Sequence, residues 1–214
     1  MDLRSHAQAL LSGIYVIVND GEPDPVTLAR AALAGGARIV QYRAKGGIVA
    51  AHALALRELT REYDALFILN DGWQAVAEYD ADGVHVGPED AAPEELAKIR
   101  AALGERILGV SCGTEEEARH AQACGADYIG AGAVYATSSK ADAGAPIGIA
   151  GLHRVASATT LPVAAIGGIT LDAIAEVRGT GVAMAAIISA VSAAEDPQSA
   201  TAALVNAWRE FERR

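Results

Sequence analysis

The chain has 214 residues, 51% of them hydrophobic but only 5% aromatic, and a formal net charge of −10. That length can bury one large core of aliphatic side chains, and the acidic balance argues against a nucleic-acid backbone as the partner. No apolar run is long enough to span a bilayer, and two cysteines make no disulfide framework.

Residues 1–6 lack a secretory layout, so a reducing cytoplasm is the expected compartment. Residues 2–11 read as a short extra helix. Short β-rich runs then alternate with Ala-rich helical patterns: strand 14–18, helix 26–34, strand 38–43, helix 48–63, strand 65–69, helix 73–78, strand 83–86, helix 93–103. The second half continues with strand 106–111, helix 115–124, strand 128–132, helix 152–157, strand 162–166, helix 171–177, strand 185–189 and helix 197–213.

A weak repeat joins these units. Gly35-Gly36-Ala37, Gly125-Ala126-Asp127 and Thr180-Gly181 each stand between a helix and a strand, with Ala81-Asp82-Gly83 as a degenerate version. A glycine just past a helix end takes the left-handed cap conformation and lets a strand begin at once. Eight such units predict an α/β fold, a (β/α)8 TIM barrel in which residues 1–214 form a single domain. An open doubly wound sheet is the alternative. It lacks support because Asn19-Asp20-Gly21-Glu22 stands where a glycine-rich dinucleotide turn would be.

Barrel active sites lie at the C-terminal ends of the strands. Here nearly all those ends are polar or glycine-rich. The second ends in Gln41-Tyr42-Arg43-Ala44-Lys45, where strand alternation puts Gln41, Arg43 and Lys45 on one face if the extended geometry persists. Two cations and an amide there suit a polyanion such as pyrophosphate, and equally describe a solvated strand end. Asp71 and Asp90 follow neighbouring strands and could hold Mg²⁺; capping of the next helices is the competing role. Gly167-Gly168-Ile169-Thr170 and Ile188-Ser189 follow the last two strands, where barrels often bind phosphate through backbone N–H groups. Thr137, Ser139 and Lys140 could close over the same region. The loop 136–148 is either a lid or a plain connection.

Other reactive side chains have weaker settings. His85, between Val84 and Val86, reads as a packed barrel residue rather than a ligand. Cys112 could be a nucleophile, but no histidine is placed by sequence to activate it. Trp73 and Trp208 read as packing residues.

The ordered set Gln41-Tyr42-Arg43-Ala44-Lys45, Asn70-Asp71, Gly83-Val84-His85-Val86-Gly87 with Asp90, Gly109-Val110-Ser111, Thr137-Ser138-Ser139-Lys140, Ala165-Ile166-Gly167-Gly168-Ile169 and Ile188-Ser189-Ala190 resembles the thiamine phosphate synthase family. The resemblance implies a Mg²⁺-dependent transferase that joins hydroxymethylpyrimidine diphosphate to a thiazole phosphate and releases pyrophosphate. It implies that Gln41, Arg43, Lys45 and Asn70 bind the pyrimidine diphosphate, and that Ser111 and Lys140 contact its diphosphate end. Arg43, Lys45, Ser111 and Lys140 would be the catalytic set. By the same resemblance Asp71 and Asp90 hold Mg²⁺, while Thr137, Ser139, Gly168, Ile188 and Ser189 receive the thiazole phosphate. The implied partners are small molecules, with no nucleic acid and no membrane; a homo-oligomer is allowed.

The chain departs from the family pattern at Ala44, Pro88, Cys112-Gly113 and Ala183-Met184. Two alternatives share the fold. A thiazole tautomerase-like isomerase would need the phosphate site without the metal pair, and a phosphate-ligand sensor would bind without turnover.

Overall fold

The computed structural model describes residues 3–87, 92–139 and 144–212. Eight parallel strands close in chain order: β1 (Gly13–Asn19), β2 (Ile39–Arg43), β3 (Leu66–Asn70), β4 (Gly83–Val86), β5 (Ile107–Cys112), β6 (Tyr128–Gly132), β7 (Val163–Ile166) and β8 (Met184–Ile187), which pairs back onto β1. The expected (β/α)8 barrel is therefore present, and closure excludes the open sheet. Around it lie α1 (Leu3–Ala9), α2 (Pro25–Ala34), α3 (Ala50–Glu62), α4 (Pro93–Leu103), α5 (Glu115–Ala123), α6 (Gly148–Ser157), α7 (Ile174–Gly179), α8 (Ser189–Ser192) and α9 (Pro197–Glu212).

Three expected elements change, and one of them, the helix expected at 171–177, opens as a 3₁₀ turn, Leu171–Ala173, before α7. The helix expected at 73–78 is a single 3₁₀ turn, Trp73–Ala75. Asp71 and Gly72 enter it with left-handed φ of 58° and 39°, and Asp80 leaves with φ 48°, so few residues remain for α-helical turns. The last strand stops at Ile187 rather than 189. Ile188 leaves the extended region at φ −117°, ψ −85°, and its carbonyl accepts from the N–H groups of Val191 and Ser192. Ser189 thus opens α8 instead of ending a strand.

Strand alternation divides the apolar side chains into two bodies. Val16, Val40, Phe67, Val84, Leu108, Ile129 and their same-parity neighbours face outward and pack beneath the helices. Tyr15, Ile17, Ile39, Leu66, Ile68, Ile107, Tyr128, Ala164, Met184 and Ala186 face inward and pack with Ala7 and Leu11. The inner body fills the lower barrel, leaving the upper interior for polar side chains.

The N-terminal helix is tied on by charge as well as by apolar contact. The buried Asp127 carboxylate accepts from Arg4 Nε at 2.7 Å, Gln8 Nε2 at 2.8 Å, Arg100 at 2.8 Å and the Leu108 N–H at 2.8 Å. Asp82 repeats the device two βα units earlier, accepting from Arg57 at 2.7 Å and from the Phe67 N–H at 2.8 Å. The degenerate sequence joint thus carries a shared function: an aspartate before a strand that clamps the preceding strand to an arginine.

Candidate active site

At the C-terminal ends of the strands lies a cavity of about 280 Å³. Its walls include Gln41, Arg43, Asn70, Ser111, Thr137, Ser139, Gly168, Ile188 and Ser189. These residues come from β2, β3, β5 and the ends of β6, β7 and β8, and barrel closure brings them to one rim.

On β2 the alternation holds through Arg43 and then fails. Gln41 is buried and Arg43 half-buried in the cavity wall, where its guanidinium donates to Asn19 Oδ1 at 3.3 Å. The strand ends there, and the Gly47 N–H returns to the Ala44 carbonyl at 3.1 Å. Lys45 falls on that turn, exposed and outside the cavity wall. The expectation that Lys45 shares a strand face with Gln41 and Arg43 is corrected by this turn. Tyr42 points outward; its hydroxyl donates to Asp20 Oδ1 at 2.6 Å, and His52 Nδ1 lies 2.8 Å from the same oxygen. These two contacts hold the Asp20 carboxyl below its usual range, the Tyr42 hydroxyl first.

Asp71 stands just beyond β3 with left-handed backbone, its N–H bonded to the His85 carbonyl at 2.8 Å. The Asn70 amide donates to its carboxylate. An oxygen donor on the rim fits a hard cation, and Mg²⁺ needs only one or two protein carboxylates. The N-cap position of the following 3₁₀ turn is held by Gly72 rather than Asp71. Asp90 and Lys140 lie outside the described residues, as does part of the loop 136–148. Among the described residues no group of three metal-ligating side chains forms.

Across the barrel, Gly167 and Gly168 pass the β6 loop at close range. A Cβ on Gly168 would meet the Ala136 carbonyl at 2.7 Å, and its φ of 65° is itself left-handed. Only glycine brings the backbone this near. Thr137 Oγ1 accepts from the Ser139 N–H at 3.2 Å, ordering the facing turn.

Beneath the rim lies a polar floor that the sequence reading missed. Tyr15, Tyr128 and His85 face inward below Gln41 and Ser111 and are hydrogen-bonded to them. His85 is half-buried and lines the cavity instead of packing as a plain core residue. Its partner Tyr128 reaches it over β5 because Gly109 stands between them in register. A Cβ on Gly109 would sit 2.2 Å from the Tyr128 ring. Inward parity of Tyr15, His85 and Tyr128, with a glycine in the intervening strand, was the available signal.

The Cys112 thiol is buried. Burial, with the Glu117 charge second, pushes its thiol up to about 12, and it sits 3.8 Å from the Val110 carbonyl. Glu117, also on the cavity wall, is occupied as a cap, accepting from the N–H groups of Gly113 at 2.6 Å and Thr114 at 3.0 Å.

A closed parallel barrel with amide, guanidinium, hydroxyl and glycine groups gathered at the C-terminal strand ends defines a (β/α)8-barrel protein with a polar cavity on the rim where such barrels carry their active sites. A family profile described as thiamine monophosphate synthase matches residues 14–191. The chain belongs to the thiamine monophosphate synthase family. It is 44% identical over 196 residues to a thiamine-phosphate synthase of Moorella thermoacetica, covering 87% of this chain and 91% of that one. A thiamine-phosphate synthase of Caldivirga maquilingensis is 39% identical, covering 94% and 98%. Among solved structures, a thiamine phosphate pyrophosphorylase from Pyrococcus furiosus superposes with TM-score 0.86 at 38% identity, covering 98% and 99%.

Proposed function

We propose that this chain is a Mg²⁺-dependent thiamine-phosphate synthase, which condenses hydroxymethylpyrimidine diphosphate with a thiazole phosphate. The observation that carries this reading is the convergence of Gln41, Arg43, Asn70 and Ser111 on one cavity with Thr137, Ser139, Gly168, Ile188 and Ser189. One wall offers a cation and amides, the other backbone and hydroxyl groups. That division suits two phosphorylated substrates held face to face.

Gln41 receives the pyrimidine, and Ser111, assigned by the family resemblance to the diphosphate end, is assigned here to the ring as well because its hydroxyl lies on the cavity floor beside His85; Asn70 contacts the same substrate. Arg43 grips the diphosphate through its planar fork. Lys45, on the turn beyond, reaches the outer phosphate from solvent, and Lys140 has the same task. Asp71 and Asp90 hold Mg²⁺, which supplies charge neutralisation for the departing pyrophosphate. The methylene C–O bond breaks with its electron pair on pyrophosphate, leaving a pyrimidine-methyl cation stabilised by the ring amino group. The thiazole nitrogen donates its lone pair to that carbon and forms the C–N bond. Thr137, Ser139, Gly168, Ile188 and Ser189 hold the thiazole phosphate so that its nitrogen faces the cation. No protein nucleophile is required, consistent with a Cys112 thiol that stays protonated. An isomerase on this scaffold would have no use for Arg43 and the Asn70-Asp71 pair.

No helix among the described residues is long and apolar enough to cross a membrane, and we place the reaction in the cytoplasm. Incubation with both substrates and Mg²⁺, scoring thiamine phosphate and pyrophosphate in equal amounts, tests the reading. Folded protein that yields neither product refutes it.

A further inference from the structure

Five residues on five strands form a single hydrogen-bond chain through the cavity floor. Gln41 Nε2 donates to the Tyr15 hydroxyl at 2.6 Å. The Tyr15 and Tyr128 hydroxyls are 2.9 Å apart. Tyr128 OH is 3.0 Å from His85 Nδ1, and His85 Nε2 is 3.0 Å from Ser111 Oγ. Both tyrosines are fully buried, and burial raises both hydroxyls above their ordinary range, so each keeps its one proton.

The first link sets the direction of the rest. An amide N–H only donates, so Tyr15 accepts there, and donating its own proton to Tyr128 is the arrangement that keeps that buried proton paired. Tyr128 in turn donates to Nδ1. For the neutral imidazole, accepting at Nδ1 places the ring proton at Nε2, within reach of Ser111 Oγ at 3.0 Å. The Ser111 proton is left to point at a ligand. Gln41 Oε1 is left as an acceptor, and both groups line the same cavity.

We propose that this chain fixes the donor–acceptor polarity of the pocket, so that Tyr15, Tyr128 and His85 are positioning residues that select a 4-aminopyrimidine. The inference rests on the synthase reading and adds how the ring is told from its analogues. The amino group offers a donor to Gln41 Oε1, and a ring nitrogen accepts from the Ser111 hydroxyl. A 4-oxo pyrimidine reverses that edge, with a carbonyl in place of the amino group and a proton on the adjacent ring nitrogen. A site with fixed buried polarity rejects such a reversal because its own groups lose their partners. Ser111 could turn to suit either ring if it were not held by His85.

Two measurements test this. Calorimetry with Mg²⁺, without thiazole phosphate, gives Kd for the 4-amino pyrimidine diphosphate and for its 4-oxo analogue. Wild type should prefer the amino compound by roughly 100-fold or more. Tyr128→Phe, which keeps the ring but cuts the chain, should lower that ratio about tenfold while leaving Kd for thiazole phosphate unchanged. His85→Asn, too short to hold Ser111, should lower it similarly should Tyr128→Phe fold poorly. Nitrogen-15 NMR of ring-labelled histidine, assigned with His85→Asn, should show His85 protonated at Nε2 alone. An unchanged ratio in both variants, or a proton on Nδ1, overturns the chain while leaving the synthase reading intact. Wild type that binds neither pyrimidine and makes no thiamine phosphate overturns both readings, whereas wild type that makes thiamine phosphate but binds the two pyrimidines equally overturns the chain alone.

Discussion

Arg43 is the cation among the described residues of the cavity wall, and its loss should be felt by one substrate. Arg43→Ala is expected to raise KM for the pyrimidine diphosphate by roughly 10- to 100-fold, the worth of a charged hydrogen bond, and KM for the thiazole phosphate far less. Equal effects on both would place Arg43 elsewhere. Asp71→Asn keeps the shape of the rim but removes a carboxylate, so half-saturation by Mg²⁺ should move upward by about tenfold; unchanged titration would remove Asp71 from the metal site. Asp20 makes a pH prediction. Its carboxyl is lowered from 3.8 by the Tyr42 hydroxyl and then by His52. A group lowered on folding contributes stability above its unfolded pKa and loses that contribution as pH falls through its folded pKa. The Tm difference between wild type and Asp20→Asn should therefore be largest at pH 5–7 and shrink toward pH 3. A constant difference would show that the contact is not ionic.

At the scale of elements, the barrel staves differ in what they leave empty. Gly109 on β5 yields its place to the Tyr128 ring, and a Cβ on Gly130 of β6 would meet His85 Cε1 at 3.0 Å. These absences let side chains of β4 and β6 meet across β5. Gly109→Ala should overpack this row and cost about 1–3 kcal/mol, seen as a Tm loss of roughly 2–4 °C per kcal/mol at this chain length. Gly113→Ala is the control, since its Cβ would find only ordinary contact with Glu117 at 3.6 Å, and its Tm should stay within about 1 °C of wild type, a surface-sized effect. The interleaving of strand and helix was legible from alternating patterns, because each inward or outward parity is a local property. The 3₁₀ turn after β3 and the early end of β8 were not, because left-handed residues at 71, 72 and 80 and the turn at Ile188 depend on how the chain must meet the next strand.

Over the whole molecule, the two ends of the barrel are built oppositely. The upper end is open and polar; the lower end packs Ala7 and Leu11 of the N-terminal segment against the inner apolar body. Asp127 fastens that segment, with its side chain fully buried between Arg4 and Arg100. Asp127→Ala leaves the buried Leu108 N–H without its acceptor and takes the carboxylate from Arg4 and Arg100, and should cost about 1–3 kcal/mol, with α1 becoming accessible to protease before the rest unfolds. Global unfolding without early loss of α1 would show that apolar contact alone holds it.

The eightfold alternation, the glycine joints and the polar strand ends, and with them the family, are legible in the chain because each is written in residues close together along it. Gly36, Gly125 and Gly181 do take left-handed φ of 99°, 82° and 87° at those joints. Which polar residues meet is set by barrel closure. Lys45 kept its place in the motif but left the cavity when the strand ended. Tyr15 and Tyr128 are 113 positions apart, on strands that are not neighbours in the sheet, and touch only because the barrel closes over its axis. Closure sets which inward rows share a height, and a hydrogen bond is made or lost over about an ångström, a distance that residue spacing does not carry.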